Sequence, residues 1–252
     1  MNKAKVLYYD LENAPNLGWV WGKWEQNVLD FEQQTYMLSY SYRWGHEKQT
    51  HVVALPDFKS YKKNPSCDKE LVTTLWELFN QADVLVAHNG NSFDFKVANA
   101  RFLIHNLPPP EPSKNIDTKL VAKRYFRFNS NSLNDLAKTL GLGTKEDTGG
   151  IKLWFDCMRG DMKAWALMKK YNKQDVVLLY DVYDRMKGWI TNGPNLNIYQ
   201  GTTRSCPNCG GDHVQSRGVM VTKVCKYQRY HCQTCGAWSK GEKLPMDKIE
   251  YK

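Results

Sequence analysis

The sequence predicts an α/β fold: a five-stranded sheet flanked by helices, followed by a small cysteine-held module at the C-terminus. Three observations lead there. Short apolar runs of strand length alternate with longer segments in which apolar residues recur every three or four positions. With 252 residues, 42% of them hydrophobic, and nine Trp, the chain can fill a core and spans one or two domains. Two CxxC pairs, Cys206/Cys209 and Cys232/Cys235, stand close together near its end.

The elements follow in order. A buried strand is expected at about 4–11, where Val6, Leu7, Tyr8 and Tyr9 run together, and after it a Trp-rich loop around Trp19, Trp21 and Trp24 that can wall a cleft. Residues 37–44 and 50–55 read as two more strands, the first alternating Leu38, Tyr40 and Tyr42 with smaller residues, so the three form a meander. Leu71, Leu75, Leu78 and Phe79 define a helix over 68–80, and 83–88 is a fourth, buried strand. The next helix carries Val97, Ala98, Phe102 and Leu103 and stops before Pro108, Pro109 and Pro110, which cannot continue it. A short fifth strand at 115–118 leads to a helix that Asp117 can cap; Ser132 opens another, which ends at Gly141. The Gly-rich stretch 141–150 reads as a loop, and Val176, Leu179, Tyr183 and Met186 mark a last helix.

Chemistry enters with three acidic motifs: Asp10 and Glu12 in YYDLEN, Asp94 in NGNSFD, and Tyr171 with Asp175 in YNKQD. On a strand, residues two apart share a face, so Asp10 and Glu12 point together; on a helix, residues four apart do, so Tyr171 and Asp175 do as well. Four carboxylates gathered at one point supply hard oxygen ligands suited to Mg²⁺ or Mn²⁺. Any one of these motifs alone is weak. The set in this order is specific.

Over residues 4–188 these motifs resemble the DEDD superfamily of 3′-to-5′ exonucleases, the DnaQ-like group with a ribonuclease H-like mixed sheet. Tyr171, with Lys170 where the histidine subtype would need His, places the resemblance in the tyrosine branch, which includes the proofreading domains of family B DNA polymerases. The resemblance implies two catalytic metals held by Asp10, Glu12, Asp94 and Asp175, with Asp10 bridging both and Asp94 holding the second through water. It also implies Tyr171 as the residue orienting the attacking water, and Asn89, Phe93 and Arg101 as substrate contacts. His88 reads as structural. Single-stranded DNA is the substrate expected from the proofreading motifs, and a DNA polymerase or another replication or repair protein is the protein partner the resemblance implies. An exoribonuclease is the nearest alternative, because the same carboxylates cut either polymer, and a catalytically silent nucleic-acid adaptor is the alternative from another class.

The CxxC turns, each presenting two thiolates, form a zinc signature resembling the zinc ribbons of nucleic-acid proteins, with Cys206, Cys209, Cys232 and Cys235 as ligands of one Zn²⁺. Cys225 is expected as a small strand residue and His231 as a flanking one. Residues 201–252 carry nine Lys and Arg against four Asp and Glu, a large part of the chain's net charge of +9. Tyr227, Tyr230 and Trp238 interleave with these cations, a mixture suited to phosphate contacts and base stacking. We therefore expect an exonuclease domain at 1–190, a linker at 191–200 and a zinc ribbon at 201–252. No apolar run approaches the ~20 residues of a membrane helix, the start shows no signal-peptide pattern, and the paired cysteines suit a reducing compartment. The expected location is the cytoplasm, that of the host if the gene is viral.

Overall fold

A computed structural model describes residues 4–24, 27–200 and 205–245. Its chain divides into two compact units. One comprises Lys5–Lys123 and Arg127–Val182; the other comprises Arg124–Phe126, the chain from Tyr183 onward and a few N-terminal residues.

The first unit is built on a mixed five-stranded sheet, in which β1 (Val6–Asn13) lies at the centre. On one side β1 pairs antiparallel with β4 (Met37–Trp44), which pairs antiparallel with β5 (His51–Ala54), giving the expected meander. On the other side it pairs parallel with β6 (Val84–Ala87), and β6 pairs parallel with β7 (Lys114–Asp117). The Trp-rich segment, expected as a loop, contains a two-stranded ribbon, β2 (Leu17–Trp19) with β3 (Asp30–Gln33). Trp19, Trp21 and Trp24 are all exposed there.

Period-two alternation assigns the two faces of the sheet. Tyr9, Leu11 and Tyr40 look toward α1 (Lys69–Gln81): the Tyr9 ring meets Phe79 edge-on, and the Tyr40 hydroxyl donates to Thr74 Oγ1 at 2.9 Å. Tyr8, Asp10, Glu12, Ser39, Ser41 and Arg43 alternate to the opposite face, which α6 (Met162–Met186) covers. There the Arg43 guanidinium stacks on Tyr180 at 3.5 Å and the Tyr8 ring meets the same tyrosine. The serines are small enough to admit the helix, and both their hydroxyls bond Asn172. Small residues opposite Asp10 and Glu12 in the β1–β4 register thus leave room for chemistry beneath α6.

Asp68 precedes α1 and is fully buried, because it has three partners to offset desolvation. Its carboxylate takes the guanidinium of Arg101 at 2.5 and 2.7 Å, His105 Nε2 at 2.6 Å and the Met37 amide at 2.8 Å. That cluster ties the start of β4 and of α1 to α2 (Asp94–Ile104). Ser132 caps α4 (Leu133–Thr139) through the Asp135 amide, as its motif predicts. Between α4 and α6 stands α5 (Lys152–Met158), which has no periodic signal in the sequence.

The second unit contains a three-stranded antiparallel sheet in the order β10 (Trp238–Leu244), β9 (Lys226–Cys232), β8 (Val214–Val221). The buried cluster around its cysteines is only Cys206, Cys232 and Ala237, although Met186, Ile190 and Leu196 are buried elsewhere in the unit, so apolar burial within the three strands is small. Cys225 lies in the turn before β9 rather than in a strand, with its carbonyl accepting from the Thr222 amide. Arg204, Asp247, Lys248, Glu250 and Lys252, counted in the basic tail, lie outside the described residues.

Candidate metal centre

Asp10 and Glu12 project from the central strand and Asp175 from α6, and one oxygen from each lies within 4.8 Å of the others. Asp175 is buried, and its Oδ1 has no hydrogen-bond partner among the described residues. A buried carboxylate oxygen without a donor is costly, so the position calls for a cation. Asp94 stands at the first turn of α2, where its Oδ1 accepts the Leu11 amide of β1 at 3.3 Å, and it is outside the tight group of three.

The loop delivering Asp94 is set by Asp117. Its carboxylate accepts four backbone amides: Asn89 at 2.9 Å, Asn91 at 3.2 Å, Lys119 at 3.0 Å and Leu120 at 3.2 Å. The last two cap α3 (Thr118–Tyr125), and the first two fasten the turn after β6. Asn89 occupies left-handed backbone at φ +68°, a conformation that Asn tolerates better than most residues. Its amide is committed to Asp117, and Phe93 at the end of the turn is half exposed. Arg101, expected at the substrate, is instead turned to Asp68, where it holds α2. His88 is structural as expected: its ring nitrogens meet Thr118 Oγ1 and the Asn131 carbonyl, both at 2.9 Å, and burial pulls its pKa down to about 4.

Four residues that motif reading missed complete the site. Asn172 donates to Asp10 Oδ2 at 2.8 Å while its oxygen accepts from Ser39, fixing the Asp10 rotamer. Trp154 of α5 donates its indole N–H to Glu12 Oε2 at 3.1 Å, and its ring packs edge-on to Tyr171. Lys145, from the Gly-rich stretch, reaches in to Asp175 Oδ2 at 2.5 Å and the Tyr171 hydroxyl at 3.2 Å. Ser39 is the fourth, and its signal was its register opposite Glu12.

The electrostatics are those of crowded acids. Burial, followed by the charges of Asp175 and Glu12, holds Asp10 well above the usual carboxylate range. Burial and then Asp175 push Glu12 up to about 8, and burial raises Asp94 to about 6 against the pull of its backbone hydrogen bonds. Asp175 is also raised by burial, with Lys145 opposing. Burial draws Lys145 down, but Asp175, Asp10 and Tyr171 outweigh it and hold the ammonium above its ordinary value. The Tyr171 phenol is raised by burial and then by Asp175 and Glu12, so it keeps its proton.

In the other unit, the sulfurs of Cys206, Cys209, Cys232 and Cys235 also lie within 4.8 Å of one another. Cys206 and Cys235 are 3.7 Å apart, as are Cys209 and Cys232. Four sulfurs at tetrahedral positions about ~2.3 Å from a zinc ion would be separated by about 3.8 Å. The donor set and its spacing fit zinc.

A family model of the RNase H superfamily matches residues 24–187, which include Asp94, Tyr171 and Asp175. The chain belongs to the RNase H superfamily. Its mixed five-stranded sheet with flanking helices is the RNase H-like fold expected from the motifs. Among solved structures, the family B DNA polymerase of the hyperthermophilic archaeon Pyrobaculum calidifontis is similar at a TM-score of 0.52 and 12% identity, over 90% of this chain and 32% of that one. The likeness is one of fold, and this chain spans about a third of the polymerase. A search of curated proteins gives no match. Among the described residues, no helix is long and apolar enough to cross a membrane.

Proposed function

We propose that this RNase H superfamily member is a metal-dependent 3′-to-5′ exonuclease of single-stranded DNA whose C-terminal zinc ribbon grips nucleic acid. The observation that carries the reading is the convergence of Asp10, Glu12 and Asp175, together with an Asp175 oxygen that has no hydrogen-bond partner among the described residues. In this reading Asp10, Glu12, Asp175 and Asp94 would hold the divalent ions. When bound, two such ions would supply neutralisation of the charge that develops on a phosphodiester, activation of water and stabilisation of the leaving oxygen.

The chain's own residues prepare that chemistry. Asn172 and Ser39 lock Asp10, Trp154 orients Glu12, and the Leu11 amide fixes Asp94, so the carboxylates are placed before substrate arrives. Tyr171, kept protonated by burial and then by Asp175 and Glu12, donates a hydrogen bond to the attacking water rather than taking its proton. Asn89 and Phe93, in the turn that precedes Asp94, would contact the strand. Cys206, Cys209, Cys232 and Cys235 would hold one Zn²⁺, which would supplement the small core of the ribbon. Preference for DNA rests on the proofreading-like motifs.

The test is incubation with 5′-labelled single-stranded DNA and RNA of one sequence, in Mg²⁺, Mn²⁺ or chelator, beside Asp10→Ala. A metal-dependent ladder that shortens from the 3′ end, absent in the variant and faster on DNA, is expected. Intact strands under all conditions would remove the nuclease reading, and faster loss of RNA would reverse the substrate.

A further inference from the structure

One face of the β9–β10 hairpin carries an alternating set of rings and cations. Tyr227, Arg229 and His231 are two apart on β9, and Trp238 and Lys240 are two apart on β10. The register pairs His231 with Trp238 and Arg229 with Lys240, which puts all five on the same side. The His231 and Trp238 rings stack at 4.4 Å, the Arg229 guanidinium lies 4.6 Å from the Trp238 ring, and Lys240 Nζ lies 4.9 Å from that of Tyr227. Tyr230 is on the opposite face, where it packs so close to Gly241 that a Cβ there would meet its ring at 2.3 Å. It does not belong to the stacking set.

Two features of this face call for a polyanion with flat groups. Like charges directly opposite on neighbouring strands repel, yet Arg229 and Lys240 face one another and have no acidic partner among the described residues. Their sign also continues across the sheet, since Arg217 in the bulge of β8 donates from its guanidinium to Gln215 Oε1, and the register pairs Gln215 with His231 on this face. Trp238 remains 53% exposed, beside a cavity of about 450 Å³ that is lined by Trp238, Arg229, Lys240, Met220, Pro194 and Asn208. That volume is in the range of small-ligand pockets. Its walls supply an indole, two cations and an amide.

We propose that this face is a single-stranded DNA site: phosphates draw Arg229 and Lys240 off the rings they now cover, and bases stack on Trp238 and Tyr227 in their place. It deepens, and rests on, the reading that the ribbon grips nucleic acid. Stacking on an aromatic platform tolerates any base, so the site is expected to hold a strand without choosing its sequence.

The test measures the affinity of a 5′-fluorescein oligothymidylate for the full-length zinc-loaded protein by anisotropy, in an Asp10→Asn background that keeps the probe intact. Trp238→Ala is expected to bind about tenfold more weakly, with Trp238→Phe restoring most of the loss. Arg229→Met combined with Lys240→Met is expected to flatten the salt dependence of log Kd by about 1.4, from ~0.7 per phosphate contact on a single strand. Lys223→Met, in the β8–β9 turn, should change neither. Zinc content is measured for each variant, so that if Trp238→Ala loses its metal, the Phe variant and the charge pair still decide. Binding by the parent that is indifferent to Trp238, or equally sensitive to Lys223, would overturn this site alone. Absence of binding by the parent would overturn the ribbon's nucleic-acid role with it.

Discussion

Replacing Lys145 by methionine keeps the length of the side chain and removes its charge from the acidic cluster. The Lys145–Asp175 pair at 2.5 Å is three-quarters enclosed on the lysine side and almost wholly on the aspartate side. At an effective dielectric of ~20 the bare attraction is about 7 kcal/mol, from which desolvation and the remaining exposure of Lys145 must be deducted. Breaking a buried pair of this kind costs roughly 3 kcal/mol. The sign with pH follows from the acids. Glu12 at about 8 and Asp94 at about 6 are raised above their unfolded values, so their contribution to stability is full below about pH 4 and is lost as pH rises to about 8. Lys145 limits that loss in the metal-free protein. Without it, urea unfolding should show little change near pH 5 and a deficit of about 3 kcal/mol near pH 8. A divalent ion must displace the ammonium to occupy the cluster, so calorimetric titration at pH 8 should find Mn²⁺ bound ten- to a hundredfold more tightly by Lys145→Met, about 1.4 kcal/mol per tenfold. Unchanged or weaker binding would refute the view of Lys145 as an internal counter-ion.

Other outcomes follow from the same geometry. Tyr171→Phe should slow cleavage but leave more activity than Asp10→Ala or Asp175→Ala, because it removes an orienting hydroxyl and no metal ligand; equal, complete loss in three folded variants would contradict this. Asn172→Leu should leave the fold intact and weaken Mn²⁺ binding about tenfold, since Asp10 loses the amide that orients it. The His88 imidazole should titrate near pH 4, seen in its ring-proton shifts, and a value near its ordinary ~6.5 would mean it is not held by Thr118 and Asn131. Removing zinc with a strong thiol-directed chelator should unfold β8–β10, detected as lost amide protection there, while the acidic unit keeps its Mn²⁺ affinity.

The legible parts of this protein are those in which a backbone period fixes side-chain direction. Asp10 with Glu12, and Tyr171 with Asp175, were readable because strands repeat every two residues and helices return after four. The Ser132 cap and the two CxxC turns were readable because the chemistry is local in sequence. Lys145 and Trp154 were not, since both come from the 141–158 stretch, where loop and short helix impose no period and the partners lie 30 and 142 residues away. Arg101 misled for the same reason: its partner Asp68 is 33 residues distant and carries no motif. The β2–β3 ribbon was hidden because its strands are brief and exposed on every residue but one, so burial wrote no alternation into them. Tyr230 was grouped with the wrong rings because composition counts aromatics, whereas register alone separates the faces of a strand.

Anomalous diffraction from crystals soaked in Mn²⁺ decides whether Asp10, Glu12 and Asp175 form a divalent-metal centre. Mn²⁺ peaks are expected between these three carboxylates, extending toward Asp94, with Lys145 withdrawn from Asp175. Saturating Mn²⁺ with no peak at the cluster, and Lys145 still in place, would contradict such a centre.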